Sequence, residues 1–149
     1  MIELKKLAQF VVKAKKQTYA SMNKMKIEPE KPKHDELEFQ EGELYYRDSY
    51  VGFFQAPGME EVRLEKNGTT VWTLAYSGGM LLKFQNDAEF AILTFKFLKK
   101  ALGLVNEKIP FRGPKKLEEG DWKYINEVEG DIRRFSGHEK IFFKGEEVF

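Results

Sequence analysis

Apolar and polar positions recur along this chain with two different periods, and the switches between them mark out its elements. Over residues 2 to 20, Leu4, Leu7, Ala8, Val11, Ala14 and Thr18 fall at helical spacing, with Lys5, Lys6, Gln9, Lys13, Lys16 and Gln17 on the opposite face. The charged stretch K-M-K-I-E-P-E-K-P-K-H-D-E, broken by two prolines, then reads as an exposed connection. From Leu37 the period shortens to two. E-L-E-F, a glycine turn and E-L-Y-Y-R-D-S-Y-V-G-F predict a short strand and a long one. M-E-E-V-R-L-E, K-N-G-T and T-V-W-T-L-A-Y predict a hairpin turning at Asn67-Gly68, a pair that tolerates the positive φ of tight turns. Gly78-Gly79 ends that run. Asn86 with Glu89 then forms a capping box, Phe90, Leu93, Phe97, Ala101 and Leu104 make one helical stripe, and Gly103 marks the stop. A Pro/Gly loop, I-P-F-R-G-P-K-K-L-E-E-G, leads to a second strand set that begins near Trp122 and runs out at Phe149.

The order is therefore helix and four strands, then helix and three strands. It specifies the α+β class, with a curved antiparallel sheet of about seven strands and two main helices. The halves also share a pattern. Tyr46, Asp48 and Gly52 align with Tyr124, Asn126 and Gly130; Gly58, Glu60 and Val62 with Gly137, Glu139 and Ile141; Gly68, Val71 and Trp72 with Gly145, Val148 and Phe149. Each set keeps its own constant offset, and the slips fall where hairpin loops would lie. The expectation is one domain, 1–149, built from pseudo-duplicated helix-plus-hairpins halves at about 1–80 and 86–149. The second half lacks a counterpart to the L-A-Y-S-G-G tail of the first.

Composition narrows the function classes. The 149 residues are 42% hydrophobic, with thirteen Phe and six Tyr, enough for a sizeable core. Twenty-five basic side chains against 24 acidic ones leave a net charge of +1, without the basic excess that direct nucleic-acid binding needs. The absence of cysteine excludes disulfides, thiolate metal sites and Cys nucleophiles. No run of about 18 apolar residues suits a membrane span, and the N-terminus reads as an amphipathic helix instead of a signal peptide. A soluble, cytoplasmic protein with no membrane partner is expected. The Lys/Glu-rich, Asn/Gln-poor surface is thermophile-like.

Strand parity supplies the candidate chemistry, because successive side chains point to opposite faces. Glu60 shares parity with Val62 and Leu64, against Glu61, Arg63 and Glu65. Glu139 shares parity with Ile141 and Phe143, against Lys140. Asp48 goes with Tyr46 and Tyr50, Asn126 with Trp122, Tyr124 and Val128, and Trp72 with Leu74 and Tyr76. Both halves thus aim a carboxylate at the apolar face, where it must be paired, hydrogen-bonded or protonated. In one reading each Glu only ties down its turn or accepts from a buried tyrosine. In another, Tyr46, Asp48, Tyr50, Glu60, Trp72, Tyr76, Tyr124, Asn126 and Glu139 line an aromatic, acidic pocket for a small molecule, a cationic one among the candidates. Arg112, in P-F-R-G-P, would clamp the rim of such a pocket or hold an anion. A third reading makes one Glu a general base of a hydrolase or isomerase. There is no G-x-G-x-x-G, Walker sequence or G-x-S-x-G, so no cofactor is expected. His34 and His138 form no metal-ligand cluster and are expected at the surface. A sheet edge at the terminal strand is the feature that would serve a homodimer or another protein partner.

Four segments, A-K-K-Q-T-Y-A-S, L-Y-Y-R-D-S-Y-V-G-F, P-F-R-G-P and F-S-G-H-E-K-I, resemble an uncharacterised domain-of-unknown-function family of archaea and bacteria. The resemblance spans about residue 7 to the C-terminus, and Y-R-D-S-Y-V-G is its most specific part. Members of that family stand alone or follow helix-turn-helix regions in regulators. No DNA-binding segment is expected ahead of Met1, so the resemblance implies a sensing portion, with no established activity to carry over.

Overall fold

The structure, a computed structural model, describes residues 2–19 and 27–149. Met1 and residues 20–26, which hold the end of the predicted first helix and the start of the charged connection, lie outside the described residues. Helix α1 (Leu4–Gln17) buries Leu7, Ala8, Val11 and Ala14, as its spacing predicts, and Phe10 and Val12 as well, while Leu4 is exposed. Lys15 is buried on the same face. The helix stops at Thr18, whose hydroxyl donates to the Ala14 carbonyl at 2.9 Å in place of a continuing turn.

Strands β1 (Asp35–Glu41), β2 (Leu44–Tyr50), β3 (Gly58–Leu64) and β4 (Thr70–Tyr76) form an antiparallel sheet in sequence order. Helix α2 (Ala88–Leu102) follows a short 3-10 turn, and β5 (Lys116–Glu119), β6 (Trp122–Asp131), β7 (Arg134–Phe143) and β8 (Glu146–Glu147) form a second sheet of the same order. The α+β class holds. The single curved sheet of about seven strands does not: there are two four-stranded sheets, each hydrogen-bonded only within its own half of the chain. Alternation identifies strands and hairpins but carries no information on whether distant edges pair. The eighth strand, β5, lies inside the segment that reads as a Pro/Gly loop.

Two local expectations also change. The α2 cap is Asp87, whose side chain accepts from the Phe90 N–H at 2.9 Å, and not Asn86. The buried face of α2 is Ala91, Thr94, Phe97, Leu98, Ala101 and Leu102, so Leu93 and Leu104 of the predicted stripe are exposed. In the β3–β4 turn the positive φ falls on Glu65 (61°), not on Asn67-Gly68. Gly68 is needed for a different reason: a Cβ there would lie 1.6 Å from the Leu64 carbonyl oxygen.

β2 departs from alternation because both of its faces are covered. Tyr46 and Asp48 face the core, whereas Arg47 and Ser49 are buried on the other side, where Arg47 pairs with Glu36 and with Glu30 at 2.9 Å and the Ser49 hydroxyl donates to Glu36 at 3.1 Å. The core joins the halves. Leu7, Phe10, Val11 and Ala14 of α1 pack on Leu44, Tyr46, Val62, Trp72 and Leu74 of the first sheet, with Phe111 between. Phe135 of β7 stacks on Phe111 (centroids 4.0 Å apart) and on Trp72 (6.0 Å), and the Trp72 indole N–H donates to the Ile132 carbonyl at 3.1 Å. A second cluster brings Tyr19 and Leu37 together with Phe97, Leu98, Ala101 and Leu102 of α2 and with Tyr124, Ile141 and Val148. Among the described residues no helix is long and apolar enough to cross a membrane.

Candidate functional site

The inward positions of the two sheets meet around one buried polar array. In the β2–β3 ladder Asp48 lies directly opposite Glu60, and in the β6–β7 ladder Asn126 lies directly opposite Glu139. Tyr46 opposite Val62 and Tyr124 opposite Ile141 repeat the correspondence. Each cross-strand pair of the first sheet thus matches, residue for residue in the sequence alignment of the halves, a cross-strand pair of the second.

Two cations neutralise the glutamates. Lys15 Nζ of α1 lies 2.6 Å from Glu60 Oε2, both side chains fully buried, and also donates to the Phe111 carbonyl. Arg112, from the connector before β5, donates through Nε to Glu139 Oε2 at 2.9 Å, and its Nη1 sits 3.7 Å from Glu60 Oε1. The Glu60 contacts are not aligned as hydrogen bonds; at these distances charge pairing holds the carboxylate in the core. The Arg112 guanidinium also lies over the Tyr76 ring, 4.8 Å from its centroid. Tyr124 donates to Glu139 Oε1 at 2.5 Å and accepts the Gly113 N–H at 3.2 Å. The Tyr76 hydroxyl donates to Asp48 Oδ1 at 2.8 Å. Gly113 must lack a side chain, since a Cβ would meet the Tyr124 hydroxyl oxygen at 2.7 Å.

Burial and charge set the titrations. Burial pulls the Lys15 ammonium below its usual range, and Glu60 opposes the fall. Burial also works against the Arg112 charge, but the carboxylates, Glu139 foremost, outweigh it and hold its pKa up. Burial, then Glu60, push Asp48 up to about 7. Burial followed by Asp48 raises Tyr76, and burial followed by Glu139 raises Tyr124.

Next to this array the described residues line a cavity of about 1200 Å³ that opens to solvent. Six of the ten candidate residues, Asp48, Tyr50, Tyr76, Arg112, Asn126 and Glu139, line it. The other four sit behind its wall: Glu60 in its ion pair, Tyr46 fully buried, Tyr124 beneath Glu139, and Trp72 in the stack that joins the sheets. Two residues that line it, Tyr19 and Asn126, each bury an oxygen, Oη and Oδ1, that has no hydrogen-bond partner among the described residues, and Tyr46 Oη behind the wall has none there either. His138 lines the cavity, while His34 rests on the Pro32 carbonyl. Among the described residues no three His, Asp or Glu side chains group as metal ligands.

Lys15 and Tyr19 are the functional candidates that the sequence reading passes over. Lys15 carries a usable signal: it falls four residues after Val11, on the apolar stripe, where a cation must find a buried partner.

The sequence model of a family described as a domain of unknown function, DUF5680, matches residues 48–149, more than half of the chain. The chain belongs to that family. No curated protein and no solved structure matches it. The DUF5680 span starts at Asp48, well after the residue 7 that the quoted motifs suggest, and contains every cavity-lining candidate. Lys15 and Tyr19, on and just after α1, precede it. In this DUF5680 protein Lys15, the nearer of the two cations at Glu60, therefore comes from outside the family span.

Proposed function

We propose that the protein binds a small, largely apolar molecule in the cavity between its two sheets, as a non-catalytic binding or sensing domain. One observation supports this reading: a cavity of about 1200 Å³ whose lining residues Tyr19 and Asn126 hold buried polar atoms without partners among the described residues. Buried polar atoms are nearly always paired, and leaving one unpaired costs about 1–3 kcal/mol. Asn126 Oδ1 and Tyr19 Oη are thus the places where a ligand's polar atoms repay most. The volume exceeds the ~300–1,000 Å³ usual for small-molecule sites, and Leu74, Met80, Leu98, Leu102 and Phe111 give it an apolar body. The engagement of both oxygens of Glu139, by Tyr124 and Arg112, supports binding over catalysis, because a general base needs an oxygen facing the substrate.

The test uses N-phenyl-1-naphthylamine, whose fluorescence rises in an apolar site. Saturable, one-to-one enhancement is expected, and Val128→Trp, which fills the cavity from β6, should abolish it while far-ultraviolet circular dichroism stays unchanged. Absence of enhancement, or enhancement indifferent to a folded Val128→Trp variant, would remove the cavity as a binding site.

A further inference from the structure

The array on the cavity wall is not balanced. Lys15 and Arg112 are matched by Glu60 and Glu139. Asp48 is a third carboxylate with no cation at ion-pair distance among the described residues. It lies directly across the ladder from Glu60, an arrangement in which like charges repel. Among the described residues, the Tyr76 hydroxyl is the only hydrogen-bond partner of its carboxylate. The equivalent position in the second sheet, opposite Glu139, holds Asn126, which has the same shape without the charge. The fold is served by an amide at that place; a carboxylate there is a liability to stability of the kind that functional sites carry.

Asn126 adds an independent observation. Its Nδ2 donates to the Gly113 carbonyl at 2.9 Å, and a carbonyl can only accept, so the amide orientation is fixed and Oδ1 is the atom left free. That residue is 3% exposed, as is Asp48, and both line the cavity. Two buried acceptor side chains therefore line the space, Asn126 with its free oxygen just beneath the surface and Asp48 with charge to spare. The other side of the cavity has the opposite character. Phe53, Leu81, Leu82 and Ile92 line it and are exposed, with the exposed Lys96 and Lys99 of α2 beside them, so the unfilled acceptors are deep and the rim offers an apolar track flanked by lysines.

We propose that the cavity takes a cationic amphiphile, an amine with an apolar chain, whose ammonium pairs with Asp48 and donates to Asn126 Oδ1 while its chain runs out along Phe53, Leu82 and Ile92. This rests on the binding reading above and names the ligand class. Asp48 is faced by Glu60 of β3, Tyr76 of β4, Arg112 of the connector, Lys15 of α1 and Tyr19 beyond it, and by Tyr46 and Tyr50 of its own strand. Burial and Glu60 hold it protonated below about pH 7, so an arriving ammonium displaces that proton.

The experiment titrates octylamine, octan-1-ol and octanoate into the full chain by calorimetry at about pH 8 and about pH 6. Octylamine, cationic at both because aliphatic amines titrate near pH 10, is expected to bind more tightly than either control at the higher pH. Its affinity should fall about tenfold at the lower pH, where most Asp48 is protonated, with proton release seen as a dependence of the heat on the buffer's ionisation enthalpy. Affinity should rise about fourfold per added methylene. Asp48→Asn should erase the preference for amine over alcohol and keep the alcohol affinity. Equal binding of amine and alcohol would overturn the cation assignment and leave the cavity reading standing. A preference for octanoate would overturn it in favour of Arg112 as an anion site. Failure of all three to bind would overturn both. If Asp48→Asn does not fold, proton release by the wild-type protein decides: none at the lower pH means that Asp48 is not the partner.

Discussion

Asp48 is the residue at which stability and charge pull apart. In the unfolded chain it titrates near its ordinary 3.8; in the folded protein burial, then Glu60, push it up to about 7. Between these values the folded state holds a proton that the unfolded state has lost. The associated stability is fully present below about pH 4 and is lost as pH rises through about 7, in total of order a few kcal/mol. Asp48→Asn removes the titration. Urea unfolding should find the variant more stable than wild type at about pH 8, with the advantage shrinking towards nothing near pH 4. A variant less stable than wild type at the higher pH would show that the carboxylate is paired by a charge and is not surplus. The parity of β2, β3, β6 and β7 made the inward carboxylates legible in the sequence, because alternation is a local property. Their partners were not legible. Lys15 and Arg112 reach them from a helix and a connector distant in sequence, and only the folded chain says that Glu60 takes both while Asp48 takes neither.

At the scale of elements, the hairpin of β3 and β4 shows how a correct location can conceal a wrong conformation. The Asn67-Gly68 pair marks the turn, and β4 begins at Thr70 as its pattern predicts. Yet the left-handed residue is Glu65, and Gly68 serves the close approach of its own backbone to the Leu64 carbonyl. The two accounts predict different mutants. A tight two-residue turn would suffer at both central positions, whereas the observed turn needs only the glycine. Gly68→Ala should destabilise by about 2 kcal/mol or more, since the Leu64 carbonyl must move, and Asn67→Ala should change stability by no more than about 0.5 kcal/mol. Thermal unfolding of the two variants distinguishes the accounts, and a comparable loss in both would restore the two-residue turn. The missed strand β5 has a related origin. Its four residues follow Pro110, Gly113 and Pro114, and turn residues of that density outweigh so short an alternating run.

The whole molecule raises a question that neither sheet raises alone: whether two sheets, each with a backbone ladder of its own, unfold together. Arg112 answers to a carboxylate in each sheet, Phe135 of the second stacks on Trp72 of the first, and Leu37 of β1 packs in the cluster that α2 builds over the second sheet. These contacts cross the divide in the core itself, where separating the halves would expose buried aromatic surface and take Arg112 away from Glu60, leaving that carboxylate with Lys15 alone. Such coupling makes a partly folded state with one intact sheet costly. The two tryptophans report on the sheets separately, Trp72 from β4 and Trp122 from β6, the latter packed among Phe90, Phe97 and Phe143. Trp122→Phe leaves a reporter on the first sheet and Trp72→Phe one on the second. In urea, the fluorescence transition of each variant should coincide with its own far-ultraviolet circular dichroism transition, giving the same midpoint and the same slope. Arg112→Met should lower the midpoint by both reporters equally, because the charge it removes serves both sheets. Fluorescence transitions that separate from the dichroism, or an Arg112→Met effect confined to Trp122, would mean that the halves are stable units in contact, and the cavity between them would then open without either sheet unfolding.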